Sequence, residues 1–255
     1  AYGKGLSEAR LGLVLPNLPR ESFVLSTKIG RLFDDEGNPI TTYDRDGVLR
    51  SLERSLSLLK LDYVDIVHIH DPDDHYQEAI GQAYPVLDEL RSQGVIKAVS
   101  VGINQWEMLM DFQRDGDFDC FMLANSYHLL KQGAVPLLDI CVQKGIGILL
   151  AGVYATGILA TGAVEGAKYR YRDAPPEILK QVAKIETICQ RFDVPLKAAA
   201  LQFVLGHPAI SSLVLGMSTP QRIGDNNDVL TTPIPAEFWT ALREEGIVEE
   251  GVPLP

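Results

Sequence analysis

Cysteine is scarce in this 255-residue sequence, aromatic residues make up only 7% of it, and no apolar run approaches membrane-spanning length. The three cysteines, Cys120, Cys141 and Cys189, lie in apolar surroundings without CxxC spacing. That excludes a disulfide-stapled scaffold and a cysteine-built zinc site, and it fits buried thiols in a reducing compartment. A transmembrane helix needs about 18 consecutive apolar residues, so no membrane partner is expected. With no basic segment leading into an apolar stretch and a cleavage site, the chain reads as cytoplasmic. Blocks of Lys and Arg are also missing: 23 basic residues face 34 acidic ones, for a net charge of −11. Such a field repels a phosphate backbone and argues against nucleic acid as a partner. No GxGxxG turn follows any apolar run, which removes the usual fingerprint of the open dinucleotide-binding fold.

What is present is 46% hydrophobic and 22% charged residues, the composition of a globular protein with a sizeable core. Short apolar, β-branched runs alternate with amphipathic helical stretches. The strand-like runs cover residues 23–28, 64–70, 98–102, 118–124, 146–151 and 211–215. Between them, Val48, Leu49, Leu52, Leu56 and Leu59 recur by threes and fours as one buried helical stripe requires. Gly94 and Gly145 stand where helices should end. Strands apolar on both faces, alternating with helices, imply a parallel α/β sheet. Polar residues gather at the strands' C-terminal ends, at Lys28, His70, Asn104, Asn125 and 217–219, where a (β/α)8 TIM barrel places its chemistry. The expected architecture is therefore one barrel domain over 1–255. Six strand-like runs against the eight of a closed barrel lead to the further expectation that the N-terminal βα units, about two, are missing from this chain.

The longest stretch without helical periodicity, 152–176, carries the run Lys168, Tyr169, Arg170, Tyr171 and Arg172, and 31–46 is similar in character. Both read as solvent-facing insertions or as lids over a site.

Among candidate chemical groups, Lys28 ends an apolar strand. It is either a cation acting on a neighbouring acid, a Schiff-base lysine, or a strand-end lysine reaching water. His68 and His70 lie two apart on a strand and so point to the same side, His70 at the mouth and His68 one layer deeper. They admit three readings: a metal-binding pair of hydrolase type that needs further ligands, an orienting His70 above a packed His68, or two core histidines. Tyr2 precedes two glycines and a Ser7–Glu8 helix start.

The segments YGKGLSEARLG, STKIG, DYVDIVHIHDPD, VGINQWE and LGMSTPQRIGDNN, in that order, resemble successive landmarks of the aldo-keto reductases. Segment 174–216 resembles the aldose 1-dehydrogenase group within that family. The resemblance implies a barrel oxidoreductase with a nicotinamide coenzyme and no metal. It also implies a catalytic set in which Tyr2 transfers the proton, Lys28 stands beside it and His70 steers the substrate oxygen. The family's catalytic aspartate, about five residues before the tyrosine, is expected upstream of Ala1. A tyrosine near its free pKa of about 10 is a poor base at neutral pH, and a neighbouring ammonium favours its phenolate.

For the coenzyme, the resemblance implies Asn104 at the nicotinamide amide. Asn125 stands near the position where the family often has Gln, and Gly152 ends the next strand. Gly216, Ser218, Thr219, Gln221, Arg222, Asp225 and Asn226 fall on the segment that grips the adenosine half, with Thr219–Pro220 opening a helix whose amides favour an anion. Asp225 is either an adenine-side carboxylate or an exposed helix charge. NADP-preferring members commonly have lysine where this chain has Gly216, so NAD is favoured over NADP. The resemblance implies an aldose oxidised at its anomeric carbon, with Tyr154 and 168–172 shaping the substrate pocket. The alternatives are pyridoxal as substrate, or a barrel that has lost turnover.

Overall fold

The computed structural model describes residues 2–34 and 36–255. The chain divides into two compact units, one ending at Met122 and the next starting at Leu123.

In the first unit a 3-10 turn over Tyr2–Gly5 leads into helix α1 (Leu6–Leu11) and strand β1 (Ser26–Ile29). An antiparallel hairpin follows, β2 (Arg31–Phe33) against β3 (Pro39–Thr41), and then helix α2 (Arg45–Leu59). Next come β4 (Ile66–His70), α3 (Tyr76–Glu78), a π-helical turn at Ala79–Ala83, α4 (Tyr84–Ser92), β5 (Ala98–Ile103) and α5 (Trp106–Asp115). Strand β6 (Cys120–Ala124) runs across the division.

β1, β4 and β5 are parallel, with Lys28 opposite His68 and His68 opposite Ser100. Partners in a parallel ladder present their side chains to the same face, so Lys28, His68 and Ser100 share one side, and His70 lies one layer further along it. The opposite face carries Val67 and Ile69, both fully buried. Before β4, the buried Asp65 accepts from Arg20 (2.5 Å), from the Leu25 amide (2.8 Å) and from Lys97 (2.7 Å). A carboxylate so enclosed is stable only because each of these donors compensates its lost hydration.

The second unit continues with α6 (Val135–Lys144), β7 (Gly147–Ala151), a 3-10 turn at Ala155–Gly157 and α7 (Ile158–Thr161). A two-residue hairpin, β8 (Lys168–Tyr169) with β9 (Arg172–Asp173), precedes α8 (Pro176–Arg191) and α9 (Leu196–Leu205). Strand β10 (Ile210–Val214) pairs in parallel with β7, and α10 (Gln221–Thr231) and α11 (Ala236–Glu244) follow. Gly145 ends α6 at φ 71°, the left-handed cap expected of it. Among the described residues no helix is long and apolar enough to cross a membrane.

All six strand-like runs are strands, shifted at their ends by up to three residues. The first starts at Ser26 rather than residue 23, because Arg20 binds the Phe23 carbonyl (3.0 Å) and draws that segment out of the ladder. The stretches 31–46 and 152–176 are not plain loops: the first folds into β2–β3 and the start of α2, the second into α7 and β8–β9. The buried face of α2 also differs from the leucine stripe. Ser51 and Ser55 are buried with Val48, Leu52 and Leu59, whereas Leu49 and Leu56 are only half-buried. Small hydroxyl residues let the helix approach β1 closely, and Ser55 Oγ lies 3.2 Å from Thr27 Oγ1.

Candidate active site

Lys28 extends from β1 and donates from Nζ to the Tyr2 hydroxyl at 2.7 Å, with Nζ 4.7 Å from the centre of the tyrosine ring. The tyrosine is carried there by a run of left-handed backbone at Gly3 (φ 59°), Lys4 (φ 55°) and Gly5 (φ 97°). Glycine meets this requirement at little cost. A Cβ at Gly5 would also lie only 2.8 Å from Leu58 Cδ1. The ring of His70 faces that of Tyr2, with centroids 6.0 Å apart. Thus the three residues that the motif match singles out converge, with Tyr2 exposed to solvent and His70 buried.

Burial lowers His70 to about 3, and the nearby cations Lys28 and Arg31 add to the effect, so the imidazole is neutral at physiological pH. His68 is fully enclosed and likewise lowered to about 3, by burial first and then by Lys28. Neither of its ring nitrogens has a hydrogen-bond partner among the described residues. Nor do any three His, Cys, Asp or Glu side chains among them converge to hold a metal ion. Lys28 makes no ion pair with a described carboxylate; Glu8, which accepts from Thr27 (2.7 Å), lines the same small cavity.

Sequence reasoning passed over Asp71, the residue after His70. Its Oδ2 lies 3.4 Å from His70 Nε2 and 3.6 Å from Arg31. The backbone there is left-handed, at φ 42°. The Asp71 amide donates to Gly102 O (3.0 Å), and its carbonyl accepts from the Tyr43 hydroxyl (3.1 Å), which also reaches His70 O (2.8 Å). Burial and the Asp71 charge push the Tyr43 hydroxyl up to about 12, so it remains a donor. Asn104 is exposed just past the end of β5, before Gln105, whose side-chain amide donates to Asp73.

In the second unit Asn125 follows β6 with φ 53°, and its amide donates to Ala151 O at 3.0 Å. Gly152, at φ 74°, packs directly against the Asn125 side chain. Gly216, Arg222, Asp225 and Asn226 line one cavity of about 340 Å³ with Tyr154 and Lys197. The Tyr154 hydroxyl donates to Asn226 Oδ1 at 3.5 Å, and Gln221 donates to Asp225 at 3.1 Å. Ser218 and Thr219 are exposed on the loop entering α10 and do not line that cavity. Tyr154 lines the cavity of the Gly216–Asn226 group. Lys168 is tied to Asp173 (2.5 Å) within its own hairpin. Lys197 was not expected: it sits in the first turn of α9, and no motif marks it.

The model of the aldo/keto reductase family matches residues 1–246. The chain is 35% identical to pyridoxal 4-dehydrogenase of Microbacterium luteolum, over 97% of this chain and 82% of the relative. It is also 35% identical to D-threo-aldose 1-dehydrogenase of a Pseudomonas species, with the same coverage of both chains. Among solved structures it superposes on an aldo-keto reductase from Bacillus halodurans with a TM-score of 0.79 at 22% identity, covering 98% of this chain and 81% of the other. The glycerol dehydrogenase of Gluconobacter oxydans gives 0.78 at 20% identity, covering 98% and 79%. With these matches, the chain belongs to the aldo/keto reductase family and is an α/β-barrel, NAD(P)-dependent dehydrogenase.

Proposed function

We propose that this enzyme oxidises the anomeric carbon of a small aldose to the lactone, with Tyr2 as proton acceptor, Lys28 as its cationic partner and His70 as the residue that orients the reacting oxygen. The observation that carries this reading is the 2.7 Å contact from Lys28 to the Tyr2 hydroxyl beside the buried His70 ring. As the anomeric O–H breaks, its proton passes to the Tyr2 oxygen, and the ammonium stabilises the charge on that oxygen before transfer. The neutral His70 holds the substrate oxygen by a hydrogen bond and does not protonate it, since its proton affinity is far too low. When bound, the nicotinamide coenzyme supplies the acceptor for the hydride that leaves the same carbon.

The residues present fit such a coenzyme. Arg222 and Lys197 give the 340 Å³ cavity two cations, Asp225 gives it a carboxylate suited to ribose hydroxyls, and the N-terminal amides of α10 begin at Gln221. We favour NAD because the position of Gly216 carries no cation and Asp225 would repel a 2′-phosphate. Lys197 is the observation that favours NADP as a second reading. The resemblance supports Asn104 as a ligand of the nicotinamide amide, Asn125 and Gly152 as coenzyme-binding positions, and Ser218 and Thr219 beside the adenosine half. The free, buried thiols suit a reducing, cytoplasmic setting.

Pyridoxal is the second substrate reading, favoured by a pyridoxal-oxidising relative of equal identity. The test is coenzyme reduction at 340 nm with NAD+ and NADP+ against a panel of aldoses and pyridoxal. Turnover of an aldose with a kcat/KM at least tenfold above that for pyridoxal supports the first reading, the reverse ratio supports the second, and no reduction with any of them defeats both.

A further inference from the structure

We infer that Asp71 is a positioning residue that holds His70 as the Nε2–H tautomer, the form able to donate to a substrate oxygen. This deepens the functional reading above and rests on it for its catalytic meaning, although the tautomer itself does not. A neutral imidazole carries one proton on either of two nitrogens, and the neighbours of the other nitrogen decide where it sits. The Nδ1 atom of His70 is buried without a hydrogen-bond partner among the described residues. A proton placed there would be a buried, unpaired N–H, and the Nε2 lone pair would then face the Asp71 carboxylate at 3.4 Å. With the proton on Nε2, a positive N–H rather than a lone pair lies beside that carboxylate, which removes the repulsion, and the unpaired buried Nδ1 is a bare acceptor rather than a stranded N–H.

The carboxylate is itself fixed. Its backbone is held at both ends, by Gly102 O and by the Tyr43 hydroxyl, and Arg31 reaches the same Oδ2 that faces His70. Burial raises the Asp71 carboxyl, with Asp73 acting the same way, while Arg31 and Lys28 pull it back towards the ionised state. Left-handed backbone at φ 42° in a non-glycine residue is uncommon, and Asp and Asn are among the side chains that tolerate it. The strained conformation aims a short carboxylate back at the preceding histidine.

The experiment is long-range 1H–15N NMR on protein labelled at its histidines, with the His70 signals assigned by their loss in His70→Gln. Asp71→Gly removes the carboxylate at a backbone angle that glycine adopts freely, and Asp71→Asn keeps the shape and a neutral acceptor. The wild-type protein is expected to show His70 with the proton on Nε2. In Asp71→Gly the Nδ1–H form should grow until both tautomers are observed, and Asp71→Asn should restore most of the wild-type pattern. In turnover, Asp71→Gly is expected to lower kcat about 10- to 100-fold with KM changed less than threefold, and Asp71→Asn to recover most of the loss. A wild-type His70 protonated on Nδ1, or an Asp71→Gly spectrum identical to wild type, overturns the inference. If no substrate in the panel is oxidised, the function falls while the NMR result still decides the tautomer.

Discussion

The Oδ1 atom of Asn125 stands 2.2 Å from where a Cβ on Gly152 would be, and the Asn125 amide nitrogen is only 3.0 Å from it. Two residues assigned to the coenzyme thus define each other's position, one by lacking a side chain and the other by filling the space. Gly152→Ala is expected to displace Asn125, to weaken coenzyme binding about tenfold, and to destabilise the fold by about 2 kcal/mol through left-handed strain plus crowding. Gly145→Ala is the control, because it has a similar φ but nothing within 4 Å of the added methyl. It should cost about 1 kcal/mol and leave binding alone. Urea melts and coenzyme titrations on both variants test this, and equal binding by the two would refute the coupling.

Tyr2→Phe and Lys28→Met are each expected to lower kcat by about 10²- to 10⁴-fold, the range for loss of a positioned proton-transfer group. Because Tyr2 is 61% exposed, its change to Phe should shift stability by less than about 0.5 kcal/mol. Coenzyme affinity should stay near wild type in both. Turnover retained in either variant would mean that another pair carries the proton.

The charge balance of the Arg222 cavity, proposed above to take the coenzyme, makes a separate prediction. Gly216→Lys should tighten NADPH about tenfold and leave NADH unchanged, since open space surrounds that position. Arg222→Ala and Lys197→Ala should weaken NADPH by a similar factor, more at low salt than at high salt. Fluorescence titration with both reduced coenzymes checks it, and equal shifts for NADH and NADPH would show that the cations do not read the 2′-position.

Acid should destabilise this protein through its enclosed histidines. Burial lowers His68, His70 and His128 each to about 3, helped in the last case by Lys131 and Arg170. In the unfolded chain the same groups take up protons near pH 6.5. From about pH 6.5 down to about 3 the unfolded state therefore binds more protons than the folded one, and stability falls as pH falls. With all three titrating, the slope approaches about 4 kcal/mol per pH unit. Urea midpoints measured from pH 7 to 4.5 should fall steadily, and His128→Leu should flatten the trend by about one proton. A midpoint constant over that range would contradict the burial argument.

Much of this protein is legible in its sequence because buried parallel strands must be apolar on both faces. That rule marks β5, β6 and β7 as largely apolar runs, whereas β1 (STKI) and β10 (ISSLV) carry polar residues and are partly exposed. It fails for β2, β3, β8 and β9, which are two or three residues long, too short to show a period. Tyr2, Lys28 and His70 could be picked out because each sits in a motif whose order along the chain matches a family. Lys197 and Asp71 could not. The lysine reaches the Arg222 cavity from a helix 25 residues earlier, and the aspartate owes its contact with His70 to a left-handed bend locked by Tyr43 and Gly102. Local pattern records which residues must be buried and which groups can do chemistry. The distances between those groups, and so the charge each one faces, arise only when distant segments pack together.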